Sequence, residues 1–242
     1  MKKLIAVIII ILLAFTGFLA YRDYMNPEIS PEAEAESFDY EAYFNSLEVV
    51  DYDRITNLYK PDDVIGTIGG EEITWKQYSY YYKYFTSGVE STIAYAPMYY
   101  GGELSWDDLY DEEITFAEAP AALTEEQLAV HAAIIRMAEE NRVEMDQKLY
   151  DDYLNKNIQS AGAANAEEFF ASIAKNGVDK ADYEFVVGDT VLAQSICEAL
   201  YGSLDSEENI NKMNEELGKA AKDLKLKFAD GFKAPYVKDF FE

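Results

Sequence analysis

Residues 64–84 read VIGTIGGEEITWKQYSYYYKY, and the fold turns on them. Val64, Ile65, Gly66, Thr67 and Ile68 make a short alternating run that suits a half-buried strand with one wet face. Gly69 and Gly70 supply the positive φ that a tight hairpin needs, and Glu71, Glu72 and Ile73 form the returning strand. Thr74 stands where a helix N-cap belongs. Trp75, Tyr78, Tyr82, Phe85 and Val89 then follow at steps of three and four, which places them on one helical face. A two-stranded hairpin is marginal alone. This one is therefore expected to lie on its helix and to gain a third strand from elsewhere in the chain.

Composition narrows the function classes. The chain has 242 residues, 49% of them hydrophobic, which predicts a folded body. Its 46 acids against 20 bases give a net charge of −26. Nucleic-acid binding needs Lys and Arg to neutralise phosphates, so this balance argues against it. Anionic lipid would repel the body too, so membrane attachment has to come from insertion. One cysteine, Cys197, excludes an internal disulfide framework and a Cys-rich metal site. One histidine, His131, removes most metal and acid–base constellations. No cofactor is expected.

The N-terminus offers that insertion. Lys2 and Lys3 precede an unbroken apolar run over residues 4–21, close to the roughly 20 residues that a spanning helix needs. The run is a signal peptide or a membrane anchor, assigned here to residues 1–25. Cutting after Ala20 puts Phe18 at the −3 position, and cutting after Gly17 puts Phe15 there, so an uncleaved anchor is favoured. Residues 26–63 follow as an acidic spacer and pre-domain segment with a helical turn or two. The body is assigned to residues 64–230 and a C-terminal tail to 231–242.

Further along, the sequence alternates between helix signals and breaks. Residues 96–122 are irregular, acidic and aromatic, a long excursion between helices. Thr124 with Gln127 predicts a capping box, stapled by Leu123 and Leu128, for a helix running to about Asn141 with Ala132, Ile135 and Ala138 inward. Asp146, Asn165, Asp179 and Ser206 each stand at the start of a further helix. Gly177 and Gly202 stand at two helix ends, and the helix from Asp179 turns Tyr183, Val187, Val191 and Leu200 inward. Leu224, Lys225, Leu226, Lys227 and Phe228 alternate strictly, which predicts a strand paired with Val64–Ile68. The expected fold is thus mainly α, with a small sheet made by an N-terminal hairpin and a C-terminal strand.

This order resembles a known family. The strand, glycine turn, Glu-x-Ile-Thr and Tyr-rich helix over residues 64–85 are similar to the opening of the SurA/PrsA-type N-terminal domain of extracytoplasmic folding factors. Asn141-Arg142-Val143-Glu144-Met145-Asp146 resembles that domain's helix junction. Residues 166–202, with Glu168-Phe169-Phe170, Asp182-Tyr183 and Leu200-Tyr201-Gly202, resemble its closing helices. The resemblance implies a helical chaperone domain outside the cytoplasmic membrane that cradles unfolded or newly exported polypeptides. Many members also carry a parvulin-type prolyl isomerase domain. Residues 203–223 are too short to hold one, and the paired histidines it relies on are absent. Catalysis is therefore not carried over, and neither is lipid attachment, since the N-terminal run has no cysteine.

Several residues invite sharper readings. His131 lies one turn from Leu128 and Ile135 with no partner or nucleophile motif beside it, which predicts a core or boundary histidine. Cys197 has Glu198 beside it, the wrong charge for a reactive thiolate, and reads as a small buried hydrophobe. The acids of residues 103–113 lack the spacing that wraps a loop around calcium. The aromatic surplus stands out instead. Tyr80, Tyr81, Tyr84, Tyr95, Met98, Tyr99 and Tyr100 fall where the predicted core face does not need them. Amphipathic rings and flexible Met grip varied apolar segments, so these seven are the candidate peptide-binding residues. The expected function is a non-catalytic chaperone; a membrane-anchored subunit that binds one dedicated folded partner is the alternative.

Overall fold

The computed structural model describes residues 40–174, 179–203 and 206–242. The N-terminal apolar run, residues 26–39 of the acidic spacer and pre-domain segment, and Gly177 lie outside these. Among the described residues no helix is long and apolar enough to cross a membrane. The architecture is mainly helical with one small antiparallel sheet. Two compact units can be distinguished: residues 40–129 together with Lys225–Glu242, and Val130–Leu224.

In the first unit, helices α1 (Tyr40–Ser46) and α2 (Tyr52–Thr56) precede strands β1 (Val64–Ile68) and β2 (Glu71–Thr74). Gly69 and Gly70 make the turn with φ of 62° and 103°. The register slips between Val64 and Gly66, a bulge that turns both Ile65 and Gly66 inward. The third strand is present and pairs with β1, giving the order β2-β1-β3. It is shorter than its alternation suggested. Only Lys227–Phe228 (β3) joins the ladder, opposite Thr67 and Gly66.

Helix α3 (Trp75–Ala94) begins with the full capping box that Thr74 implied: the Thr74 hydroxyl accepts from the Gln77 N–H, and the Gln77 side chain accepts from the Thr74 N–H. Trp75, Tyr78, Tyr82 and Val89 are buried as expected, whereas Phe85 is only half-buried. Tyr81 and Thr86 join the core as well, because α2 and β2 both lie against this helix and widen its buried face beyond one stripe. The hydroxyls of Tyr78 and Tyr82 find no hydrogen-bond partner among the described residues.

Residues 231–242, read from the sequence as a tail, are held in place. The Asp51 N–H donates to the Phe240 carbonyl at 2.9 Å and the Glu242 N–H to Val49 at 3.1 Å, flanking a bridge between Val50 and Phe241. Arg54 donates to the Asp239 carbonyl at 2.8 Å and lies over the Phe240 ring. Val237 and Phe240 are buried and anchor a segment that has no periodicity to announce it.

Helix α5 (Ala119–Asn141) starts five residues earlier than the Thr124 box predicted. Thr124 is fully buried and donates its hydroxyl back to the Pro120 carbonyl. The turn that leads into the helix is held by Thr115, whose N–H and hydroxyl both donate to the Glu118 carboxylate at 2.9 and 2.8 Å and whose carbonyl accepts from the Ala119 N–H. Pro120 suits the first turn, where its missing N–H costs nothing.

The second unit holds the rest of α5, then α6 (Gln147–Ser160), α7 (Ala166–Ala174), α8 (Lys180–Tyr201) and α9 (Glu207–Ala221). Asp146, Asn165, Asp179 and Ser206 cap the last four through their side chains, as their spacing predicted. Phe169, Tyr183, Val187 and Val191 form its core, with Leu149, Tyr150, Tyr153 and Leu154 packed on it. Asn157 donates to the Tyr183 hydroxyl at 2.8 Å, which pays the polar debt of burying both. Leu200, expected inward, is exposed beside the helix end.

Candidate functional site

The aromatic excursion divides in two. Its second half folds back: Trp106 and Phe116 are buried, and Leu109 bridges to Thr115. The acids there build turns, Asp108 accepting from the Ser105 N–H and hydroxyl and Asp111 from the N–H groups of Glu113 and Ile114. Among the described residues no group of three His, Cys, Asp or Glu side chains is placed to hold a metal ion.

The first half forms a one-turn helix, α4 (Ala96–Tyr100), which projects its side chains outward. Tyr95 ends α3 and begins α4, Pro97 fixes the first turn, and Gly101 at φ 71° closes it in the left-handed region. Ala96 is fully buried and acts as the anchor. Around it Tyr95, Met98, Tyr99 and Tyr100 are 48%, 52%, 52% and 70% exposed. The turn is braced from beneath. Tyr43 donates its hydroxyl to the Ile93 carbonyl at 2.6 Å, with the Leu104 carbonyl at 3.4 Å, so one phenol ties the chain before α4 to the chain after it. Burial pushes the Tyr43 pKa up, which keeps that donor protonated.

One member of the patch escaped the sequence. Phe44 is exposed and meets Tyr95 edge-on at 6.2 Å, and Tyr95 meets Tyr99 edge-on at 6.4 Å. Phe44 lies about fifty positions earlier in a short helix, and nothing local marks the contact. The other three candidates stand apart. Tyr81 is buried at 3% exposure and cannot meet a client; its ring lies against Tyr80 and Phe85. Tyr80 is half-buried. Tyr84 is exposed, yet at 1.5 Å per residue it lies about 16 Å along α3 from Tyr95.

His131 and Cys197 lie away from this patch in the sequence. His131 Nδ1 lies 2.7 and 2.8 Å from the two Asp189 oxygens, a hydrogen-bonded pair linking α5 and α8. Both residues are buried and the imidazole lies tilted against Phe185 with centroids 4.8 Å apart, so the pair is a packed polar contact. Cys197 is buried, and burial together with the Glu198 charge pushes its thiol pKa up, away from the thiolate that reactivity needs.

No protein-family model, curated protein or solved structure matches this chain. The site therefore stands on its own geometry.

Proposed function

We propose that this chain is a non-catalytic, chaperone-like protein that acts outside the cytoplasmic membrane and holds unfolded or newly exported polypeptides. One observation carries the proposal: α4 turns three tyrosines and a methionine, counting Tyr95, toward solvent on a turn that is braced rather than loose. Exposed apolar clusters of this kind mark contact surfaces. Rings with a polar tip tolerate water when empty, and Met adapts to differing side chains, which suits many clients better than one. The resemblance of residues 64–228 to the SurA/PrsA-type domain supports the same role. The apolar run behind Lys2 and Lys3 supports attachment through an N-terminal anchor, or secretion if that segment is removed.

Light scattering tests it. The full chain, held in mild non-ionic detergent, is mixed at near-equal concentration with several unrelated, chemically unfolded proteins. Suppressed aggregation of several clients is the expected result. A folded sample that suppresses none overturns the proposal and points to a single dedicated folded partner, which a pull-down would then seek.

A further inference from the structure

We infer that the α4 face selects cationic segments, that is, apolar stretches of unfolded polypeptide flanked by Lys or Arg. This rests on the polypeptide-holding role above and names its client class.

The chemistry around the patch is one-sided. Residues 84–129 contain ten Asp and Glu and no Lys or Arg, and α4 lies within this stretch. Some of these acids already have partners: Glu90 accepts from the Tyr52 hydroxyl and Asp107 pairs with Lys238. Others, Glu103 and Asp108 among them, are exposed. Glu103 follows Tyr100 by three residues, so chain geometry keeps their Cα atoms within about 11 Å, close to the screening length of about 10 Å at 0.1 M salt and well inside the longer one at 50 mM. Its charge is felt at the Tyr43 hydroxyl, the brace under the turn. Asp108 is exposed as well and accepts from the Ser105 N–H and hydroxyl.

The aromatic rings add to this bias. The faces of Tyr95, Tyr99 and Tyr100 carry the negative side of their quadrupoles, which attracts guanidinium and ammonium groups. An exposed aromatic patch with no Lys or Arg in its own stretch of sequence and with the Glu103 carboxylate three residues beyond it therefore gains twice from a basic, apolar segment. A neutral segment gains only the ring contact, and an acidic one is repelled. Two other occupants are disfavoured by the same charges. A second copy at −26 repels the first, and an anionic bilayer repels both.

The test uses three fluorescein-labelled, unstructured peptides with the same Leu and Phe content, flanked by Lys/Arg, by Ser or by Asp/Glu. Anisotropy with the full chain in non-ionic detergent at 50 mM salt is expected to give at least tenfold tighter binding for the basic peptide than for the neutral one. The acidic peptide should bind most weakly, and the advantage of the basic peptide should shrink as salt rises. Tyr99→Ser with Tyr100→Ser should remove most binding of the basic peptide, while Glu103→Gln should lower only its advantage over the neutral peptide. Equal affinity for basic and neutral peptides overturns the selectivity and leaves the holding role standing. Basic-peptide binding that survives the tyrosine replacements also overturns it, by moving the attraction to the acidic surface at large. Failure of all three peptides removes the holding role at this face and the selectivity with it.

Discussion

Gly66→Ala should destabilise the first unit, because a methyl group at that position has nowhere to go. An added Cβ would stand 2.6 Å from the Lys227 carbonyl oxygen, 3.1 Å from Phe228 Cα and 3.2 Å from a Leu226 methyl. Carbon–oxygen contacts settle at about 3.3–3.6 Å, so β3 must retreat by roughly 0.7 Å or more. The neighbouring bond from the Ala229 N–H to the Ile65 carbonyl is 2.8 Å long. The same retreat would stretch it to about 3.5 Å, the limit of a useful hydrogen bond. Overpacking of this kind costs about 1–3 kcal/mol, and the lower chain entropy of alanine returns about 0.4–1 kcal/mol. The expected net loss is about 1–2 kcal/mol, or a melting point lower by roughly 5–10 °C for a unit of this size. Tryptophan fluorescence reads the right transition, since Trp75 and Trp106 both belong to this unit. Thr67→Ala, at the exposed neighbouring position of β1, serves as the control. A melting point for Gly66→Ala equal to wild type, or higher, would refute the close approach of β1 and β3.

Other consequences can be checked on the same footing. Tyr82→Phe removes a buried hydroxyl that has no partner among the described residues, so it should leave stability unchanged or raise it by about 1 kcal/mol. A loss above that size in thermal melts would show the hydroxyl to be bonded. His131→Leu takes the imidazole away from a buried carboxylate and should cost about 3–5 kcal/mol in urea unfolding followed by circular dichroism. A cost below about 1 kcal/mol would mean that Asp189 does not depend on it. Burial raises the phenol of Tyr183 to about 12 and lifts those of Tyr52, Tyr78 and Tyr82 above their ordinary value as well. Above pH 10 the unfolded chain releases protons that the folded chain retains, so this stability is complete below pH 10 and falls between pH 10 and 12. A melting point that stays flat across that window contradicts the burial of these rings.

The features legible in the sequence were those written into neighbouring residues. The Gly69–Gly70 turn, the Thr74 box and the side-chain caps at Asp146, Asp179 and Ser206 each depend on groups within four positions of one another. The pairing of β3 was legible too, from its alternation, although its length was not. Only Lys227 and Phe228 pair, opposite Thr67 and Gly66, while Leu226 is buried outside the ladder. The start of α5 differs from the Thr124 box because two Thr-x-x-Glu/Gln patterns compete: the earlier, at Thr115, holds the turn from which the helix starts at Ala119, with Pro120 in its first turn. The remainder needed contacts between distant residues. Tyr81 is buried although it lies outside the predicted stripe of α3, His131 finds Asp189 58 positions away, and Phe44 joins Tyr95 across the unit. The C-terminal residues escaped notice for the same reason, since their anchors are Val49, Asp51 and Arg54. In the site itself, the exposed half of the excursion was readable as an aromatic surplus. That Trp106 and Phe116 would fold away while Tyr99 and Tyr100 would not depends on the Tyr43 brace and Gly101.

The most direct measurement places a photo-reactive phenylalanine derivative at Tyr99, at Tyr100 and, as a control, at Tyr236, which is exposed in the same unit. Each variant is irradiated with several unrelated unfolded proteins present, and adducts are resolved by gel and mass spectrometry. Client adducts at Tyr99 and Tyr100 with none at Tyr236 is the predicted result. Absence of adducts at α4, or equal adducts at all three positions, would contradict the assignment of this turn as the surface that holds unfolded polypeptide.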